Sequence, residues 1–208
     1  LPTKSPNINL VAAAYGDDDS VKSTNEAKGL IASYPNLKAI FSIGAGVDHL
    51  FNDPGLPHVP IVRVVADNLT QYMTEYVVWQ VLHHHRQAPA YARLQAEHCW
   101  GELPQPAASS VNVGIMGMGV LGADAAEVLR RIGFKVAGWS RTPKQVEGVE
   151  CFTGAEGLTP FLNRTDILVS LLPLTPETRG IIDRDLILKL RRDGALGGPC
   201  LINAGRGG

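Results

Sequence analysis

Val111-Asn-Val-Gly-Ile-Met-Gly-Met-Gly-Val-Leu-Gly122 decides the fold. The β-branched run 111–116 reads as a buried strand, and the alanine-rich run 123–132 as the helix that follows. Between them Gly117, Gly119 and Gly122 spell G-x-G-x-x-G. The first glycine permits a tight turn. The second leaves room for a pyrophosphate to approach the backbone, and the third lets helix and strand pack closely. The free N–H groups at the helix start, together with the helix dipole, suit phosphate. Taken alone the motif could be a glycine-rich turn. Between a strand and a helix it reads as a dinucleotide loop, with Gly117, Met118, Gly119, Val120, Leu121 and Gly122 as the cofactor-facing stretch.

Outward from this loop, the chain alternates strands and helices, which indicates an α/β fold with a parallel sheet. Strands are expected at 134–139, 166–172 and 199–203, with helices at 159–163 and 184–191, the latter capped by Asp183. The run 166–172 is apolar throughout, as a parallel strand covered on both faces should be. Upstream, strands are expected at 8–14, 38–43 and 61–65, and a short helix at 27–33. A longer helix is expected from Gln71 to about Arg86, capped by Asn68 or Thr70 and buried on more than one face. A second helical piece covers 90–98. The proline-rich stretch 104–110 reads as an interdomain linker. The expected division is therefore 1–100, part of a substrate domain, and 101–208, the first half of a Rossmann-type nucleotide-binding domain.

Composition excludes several classes. The 208 residues are 45% hydrophobic and 19% charged, with a formal net charge of −1. Nothing in that balance argues for nucleic acid, and no apolar run reaches membrane-span length. Cys99, Cys151 and Cys200 are widely spaced and form no metal-type or redox-type pair, which suits a reducing, cytoplasmic setting. Asp17, Asp18 and Asp19 read as a solvated turn. His83, His84 and His85 fan out by about 100° each along a helix and so do not converge on a metal; their place in a last turn suits the helix dipole. No metal site is expected. The sequence opens on Leu1 and stops at Gly208 just after an expected strand, so both ends are expected to be cut.

The end of the second strand carries the next signal. An Asp or Glu there usually binds the ribose 2′-hydroxyl of NAD. Here the place holds Trp139-Ser140-Arg141-Thr142-Pro143-Lys144, with no carboxylate. Arg141 can take a 2′-phosphate through a forked, charge-assisted contact, with Lys144 as a second charge and Ser140 and Thr142 as hydroxyl donors. NADP(H) is therefore expected over NAD(H). A solvated basic turn without cofactor preference is the plainer alternative.

Five stretches together resemble the D-2-hydroxyacid dehydrogenases of the glyoxylate/hydroxypyruvate reductase A type. They are Phe41-Ser-Ile-Gly-Ala-Gly-Val-Asp-His-Leu50, Gly117-Met-Gly-Val-Leu-Gly122, Trp139-Ser-Arg-Thr142, Leu171-Leu-Pro-Leu-Thr-Pro-Glu-Thr-Arg-Gly180 and Leu201-Ile-Asn-Ala-Gly-Arg-Gly207. The resemblance implies a two-domain architecture, commonly dimeric, in which a hydride passes from NADPH to the carbonyl carbon of a small 2-keto acid such as glyoxylate or hydroxypyruvate. It places the catalytic arginine on Arg206 and the carboxylate-binding turn on Ala45 and Gly46. It also puts Leu172, Pro173 and Thr178 beside the cofactor, Asn203, Ala204 and Gly205 near the nicotinamide, and Met73 facing the nicotinamide from the other domain. His49 falls on a position that is structural in the family.

The sequence departs from the family pattern in two places. The family's catalytic His, and the Glu that orients it, follow the segment matched by 201–207 and are not in this sequence, so the 208 residues alone are expected to be weakly folded and inactive. The family's apolar strand ahead of 27–34 is replaced here by the polar run 20–26. A dinucleotide-sensing binding protein on the same fold is the rival reading. Arg206 and the Ala45–Gly46 turn favour the enzyme, because a sensor has no need of a carboxylate clamp.

Overall fold

The computed structural model describes residues 9, 11–14, 20–42, 59–63 and 67–205. The chain divides into two compact units, 1–66 and 67–208. In the first, helix α1 (Ser20–Ser33) precedes strands β1 (Ile40–Ser42) and β2 (Ile61–Arg63), which pair in parallel with Ile40 opposite Ile61. The polar run 20–26 is thus the opening of α1, which begins seven residues before the expected helix. Ala27 is buried and Glu26 and Lys28 are exposed, so a single apolar face carries the helix. Residues 11–14 form no strand.

The second unit holds a five-stranded parallel sheet in the order β5-β4-β3-β6-β7. Its strands are β3 (Asn112–Met116), β4 (Lys135–Ser140), β5 (Glu150–Thr153), β6 (Ile167–Ser170) and β7 (Cys200–Asn203). This order reverses at β3, as in one half of a doubly wound fold. The edge strand β5 was not expected from sequence. It is four residues long with one aromatic, yet Gly148 and Gly154, both with φ of 66°, bracket it as turn glycines.

Helices cover both faces. On one side, α4 (Val120–Ile132) buries Gly122, Ala125, Ala126 and Leu129, a helical repeat facing Val113 and Ile115. It ends at Gly133, where a φ of 110° lets the Gly133 and Phe134 N–H groups close the last carbonyls of Arg130 and Leu129. On the other side, α5 (Gly154–Asn163) and α6 (Arg184–Leu188) set Phe161, Leu162 and Leu186 against Met116, Ala137 and Leu168. Asp183 caps α6 as expected, accepting the Leu186 N–H at 2.7 Å.

Helix α2 (Asp67–His85) packs on α4, followed by α3 (Ala88–Ala96). It starts at Asp67, so Asn68 and Thr70 lie inside it rather than capping it. It buries one stripe, Thr74, Val77, Val81 and His85, while Leu69, Tyr72, Tyr76 and Trp79 are exposed. The helix is covered mainly by α4, with further contacts to α3 and β7, and Val78 and Leu82 pack partly buried beside its stripe. Helices α2 and α3 belong to the second compact unit, which begins at Asp67. The proline-rich stretch 104–110 is an internal connection that ends in a 3₁₀ turn, Ala108–Ser110. Among the described residues no helix is long and apolar enough to cross a membrane.

Candidate cofactor site

The parallel registers bring the sequence-selected residues to one edge. Met116 lies opposite Trp139 on β4 and Ser170 on β6, and Ser170 lies opposite Asn203 on β7. The segments that leave these strands are tied together by backbone bonds of 2.9 Å: Gly117 N–H to the Trp139 carbonyl, Leu171 N–H to Met116, and Ala204 N–H to Ser170. The glycine turn, the 140–144 turn, the 171–178 loop and the Ala204–Gly205 segment therefore all leave the carboxyl ends of neighbouring strands, where ligands of open α/β sheets bind.

The three glycines meet three different demands. Gly117 has a φ of 104°, and a side chain there would also press on the Leu171 backbone at 3.1 Å. At Gly122 an added Cβ would fall 2.1 Å from the Gly117 carbonyl oxygen, so this contact needs glycine for helix–strand packing. Gly119 has, among the described residues, no atom within 4 Å of the position a Cβ would take. It precedes α4 with no side-chain cap, and the helix begins at Val120, three residues earlier than expected. An uncapped helix start at the positive end of the helix dipole, beside a glycine with open space around it, is an arrangement that can hold a phosphate. Val120 is exposed, whereas Met118 is buried and packs over Gly138, so Met118 offers only its backbone.

The turn after β4 divides by burial. Trp139 is buried among Met116, Phe161 and Leu168, and its Nε1–H donates to the Gly154 carbonyl at 2.9 Å. Ser140 is buried too, and its hydroxyl donates to the Thr142 carbonyl at 2.7 Å. These two side chains shape the turn from within. Successive strand residues point to opposite faces, and neither face here is open to solvent. Arg141, Thr142 and Lys144 are exposed. Arg141 Nη1 lies 3.9 Å from a Glu177 carboxylate oxygen.

The 171–178 loop is held from inside. The Thr178 hydroxyl donates to the Pro173 carbonyl at 2.5 Å and accepts the Thr175 N–H at 2.8 Å. Thr178 therefore sets the loop's shape, with Leu172 half-buried and Pro173 exposed. Asn203 accepts the Gly205 N–H at 3.0 Å, and a side chain on Gly205 would come within 2.7 Å of the Leu172 carbonyl. Met73 lies on α2, in the same compact unit as the glycine turn and not in the other one. Beside it, the Thr74 hydroxyl donates to the Asp124 carboxylate at 2.5 Å and joins α2 to α4. A groove of about 590 Å³ runs between these helices from Thr70 to Val128 and is lined by Val120 and Asp124. Arg206, Ala45, Gly46 and His49 lie outside the described residues.

Sequence reading missed Glu177 and the Thr74–Asp124 link. Both are contacts between distant segments, and only the spacing of Thr175 and Thr178 hinted that this loop was closed on itself. The three histidines diverge: His83 and His84 meet edge-on at 5.4 Å, while His85 turns into the core against Phe134 at 4.9 Å. Burial holds the His85 imidazole below its ordinary value, as it does the half-buried His84. Burial likewise pushes the Cys200 thiol up.

Comparison with known proteins agrees with this geometry. The sequence model of the D-isomer specific 2-hydroxyacid dehydrogenase NAD binding domain matches residues 78–208. Glyoxylate/hydroxypyruvate reductase A of Serratia proteamaculans is 39% identical over 216 residues, covering 100% of this chain and 67% of the relative. A crystal structure of the NADPH-dependent glyoxylate/hydroxypyruvate reductase of Sinorhizobium meliloti, in complex with NADP and sulfate, is 56% identical with a TM-score of 0.76. It covers 85% of this chain and 55% of that one. A probable 2-hydroxyacid dehydrogenase of Rhizobium etli, in complex with NADP, HEPES and tartaric acid, is 55% identical with a TM-score of 0.79 and the same coverage. The chain thus spans about half to two thirds of the length of these relatives. A Rossmann-type sheet whose glycine turn, basic turn and closing loop share one carboxyl edge, together with these likenesses, places the chain in the D-isomer specific 2-hydroxyacid dehydrogenase family.

Proposed function

We propose that this chain is the nucleotide-binding part, with a portion of the substrate-binding part, of an NADP(H)-dependent reductase of small 2-keto acids such as glyoxylate or hydroxypyruvate. The observation that carries this reading is the strand-end pairing of two features. The open space over Gly119 and the exposed Arg141 follow neighbouring strands whose ends are joined by the Gly117–Trp139 bond. The similar structures in complex with NADP support it.

The bound dinucleotide supplies a hydride to the carbonyl carbon of the keto acid. In this reading the chain's own residues do the binding and the orienting. The α4 N-terminus and Gly119 hold the pyrophosphate, and Gly117 and Gly122 fix the turn that presents them. Arg141 and Lys144 hold the 2′-phosphate, each hydrogen bond to a charged group contributing about 1.5–3 kcal/mol. The 171–178 loop, stiffened by Thr178, borders the cofactor with Leu172 and Pro173, and Asn203, Ala204, Gly205 and Met73 line the nicotinamide end. By the family resemblance, Arg206 takes the role of polarising the substrate carbonyl, and Ala45 and Gly46 that of binding its carboxylate. The protein acts in the cytoplasm as a homodimer.

The test is NADPH consumption on adding glyoxylate to the full-length protein, with NADH for comparison. Turnover that prefers NADPH is expected. Arg141→Ala should weaken NADPH binding by about tenfold or more, the loss of one charge-assisted contact, and leave NADH binding unchanged. Equal affinity of the wild type for the two nucleotides would refute the assignment of Arg141.

A further inference from the structure

The basic turn after β4 contains no carboxylate, yet the fold brings one to it. Glu177, on the loop after β6, faces Arg141 at 3.9 Å, with the two side chains 60% and 75% exposed. That distance and exposure describe a loose, solvent-screened pair that contributes little to stability. Interaction with the Thr175 side chain first, then with its own backbone and with the Arg141 guanidinium, holds the Glu177 carboxyl below the usual carboxylate range. Thr175 is in turn fixed by Thr178, its N–H donating to the Thr178 hydroxyl at 2.8 Å. The loop thus presents a carboxylate to Arg141, one of the two cations assigned to a 2′-phosphate.

We propose that Glu177 sets the nucleotide discrimination of this protein by competing with a ribose 2′-phosphate for Arg141. In the free protein its carboxylate neutralises the guanidinium. When a phosphorylated nucleotide binds, the phosphate displaces that contact and is left within several ångströms of a like charge. An unphosphorylated ribose meets no such opposition, and its 2′-hydroxyl can donate to a carboxylate, the usual basis of preference for NAD. Glu177 therefore lowers the affinity for the phosphorylated nucleotide and keeps the discrimination between the two forms moderate. This inference rests on the assignment of Arg141 proposed above.

Glu177→Gln removes the charge at nearly the same size and leaves the Thr178 bonds that hold the loop untouched. The readout is equilibrium binding of NADPH and of NADH to the full-length protein, followed by tryptophan or nucleotide fluorescence and independent of turnover. A like-charge contact in water-exposed surroundings at this range predicts that NADPH binds about three- to tenfold more tightly to E177Q, with NADH unchanged or weakened. The gain should shrink as salt is raised, since exposed charges are screened over about 8–10 Å at moderate ionic strength. Glu177→Lys should enlarge it. If R141A weakens NADPH binding but E177Q and E177K leave it unchanged or weaker, this inference is overturned and the Arg141 assignment stands. If R141A changes neither nucleotide's affinity, the assignment fails and the inference fails with it.

Discussion

Exchanging Gly122 and Gly119 separately for alanine tests whether the two glycines do different work. An ideal Cβ on residue 122 falls 2.1 Å from the Gly117 carbonyl oxygen and 3.1 Å from its carbon, where real Cβ atoms essentially never come under 3.0 Å. Both neighbours are backbone, so no rotamer change can relieve the contact. Either α4 moves off the sheet or the Gly117 carbonyl rotates, and Gly117 is anchored on its other side by the bond from its N–H to the Trp139 carbonyl. Forcing extra volume into a packed site costs about 1–3 kcal/mol, and a backbone obstacle puts Gly122→Ala at the upper end. Against this, alanine gains about 1 kcal/mol over glycine inside a helix, leaving a net loss of about 2 kcal/mol. For a unit of this size that lowers the melting temperature by about 5–8 °C. Among the described residues, Gly119→Ala meets no atom within 4 Å, so its cost is only the weaker capping by alanine, about 0.5–1 kcal/mol. Its methyl group instead fills the space assigned to the pyrophosphate, and NADPH affinity should fall by about tenfold or more. Thermal melting and nucleotide titration of both variants give the answer. A G122A protein that melts within about 2 °C of wild type would refute the packing argument. A G119A protein with unaltered NADPH affinity would refute the phosphate assignment.

Two further outcomes follow from buried groups. His85 is 4% exposed, its Nδ1 has no hydrogen-bond partner among the described residues, and burial holds its pKa below 6.5. The unfolded chain therefore takes up the proton first, so the stability this group contributes is complete above about pH 7 and is lost as pH falls below its ordinary value. Melting temperatures at about pH 7.5 and about pH 5.5 should differ less in His85→Phe than in wild type, and an unchanged difference would remove His85 as a cause. Trp139→Phe loses the bond to the Gly154 carbonyl and part of the packing, costing about 2–3 kcal/mol by chemical denaturation. Because the indole is buried in the core, the ratio of NADPH to NADH affinity should stay as it is; a shifted ratio would return Trp139 to the binding surface.

Much of the second unit was legible from the chain because its signals are local. A positive φ at Gly117, an apolar run covered on both faces at β6 and a capping aspartate at 183 are demands of a few consecutive residues, and each is met by the residue types present. The glycine spacing likewise encodes a turn, an approach and a close contact that later proved to be three distinct environments. Tertiary structure decided what depends on partners far apart in sequence. It set the strand order, in which the short β5 becomes the edge beside β4. It assigned α2 and Met73 to the unit of the glycine turn, because the buried stripe of α2 rests on α4. It turned Trp139 and Ser140 inward, since strand alternation leaves open which faces will be covered until the sheet and its helices are assembled. It also carried Glu177 to Arg141, a pairing that no local pattern encodes because it arises only where the loops of two strands leave the same edge of the sheet.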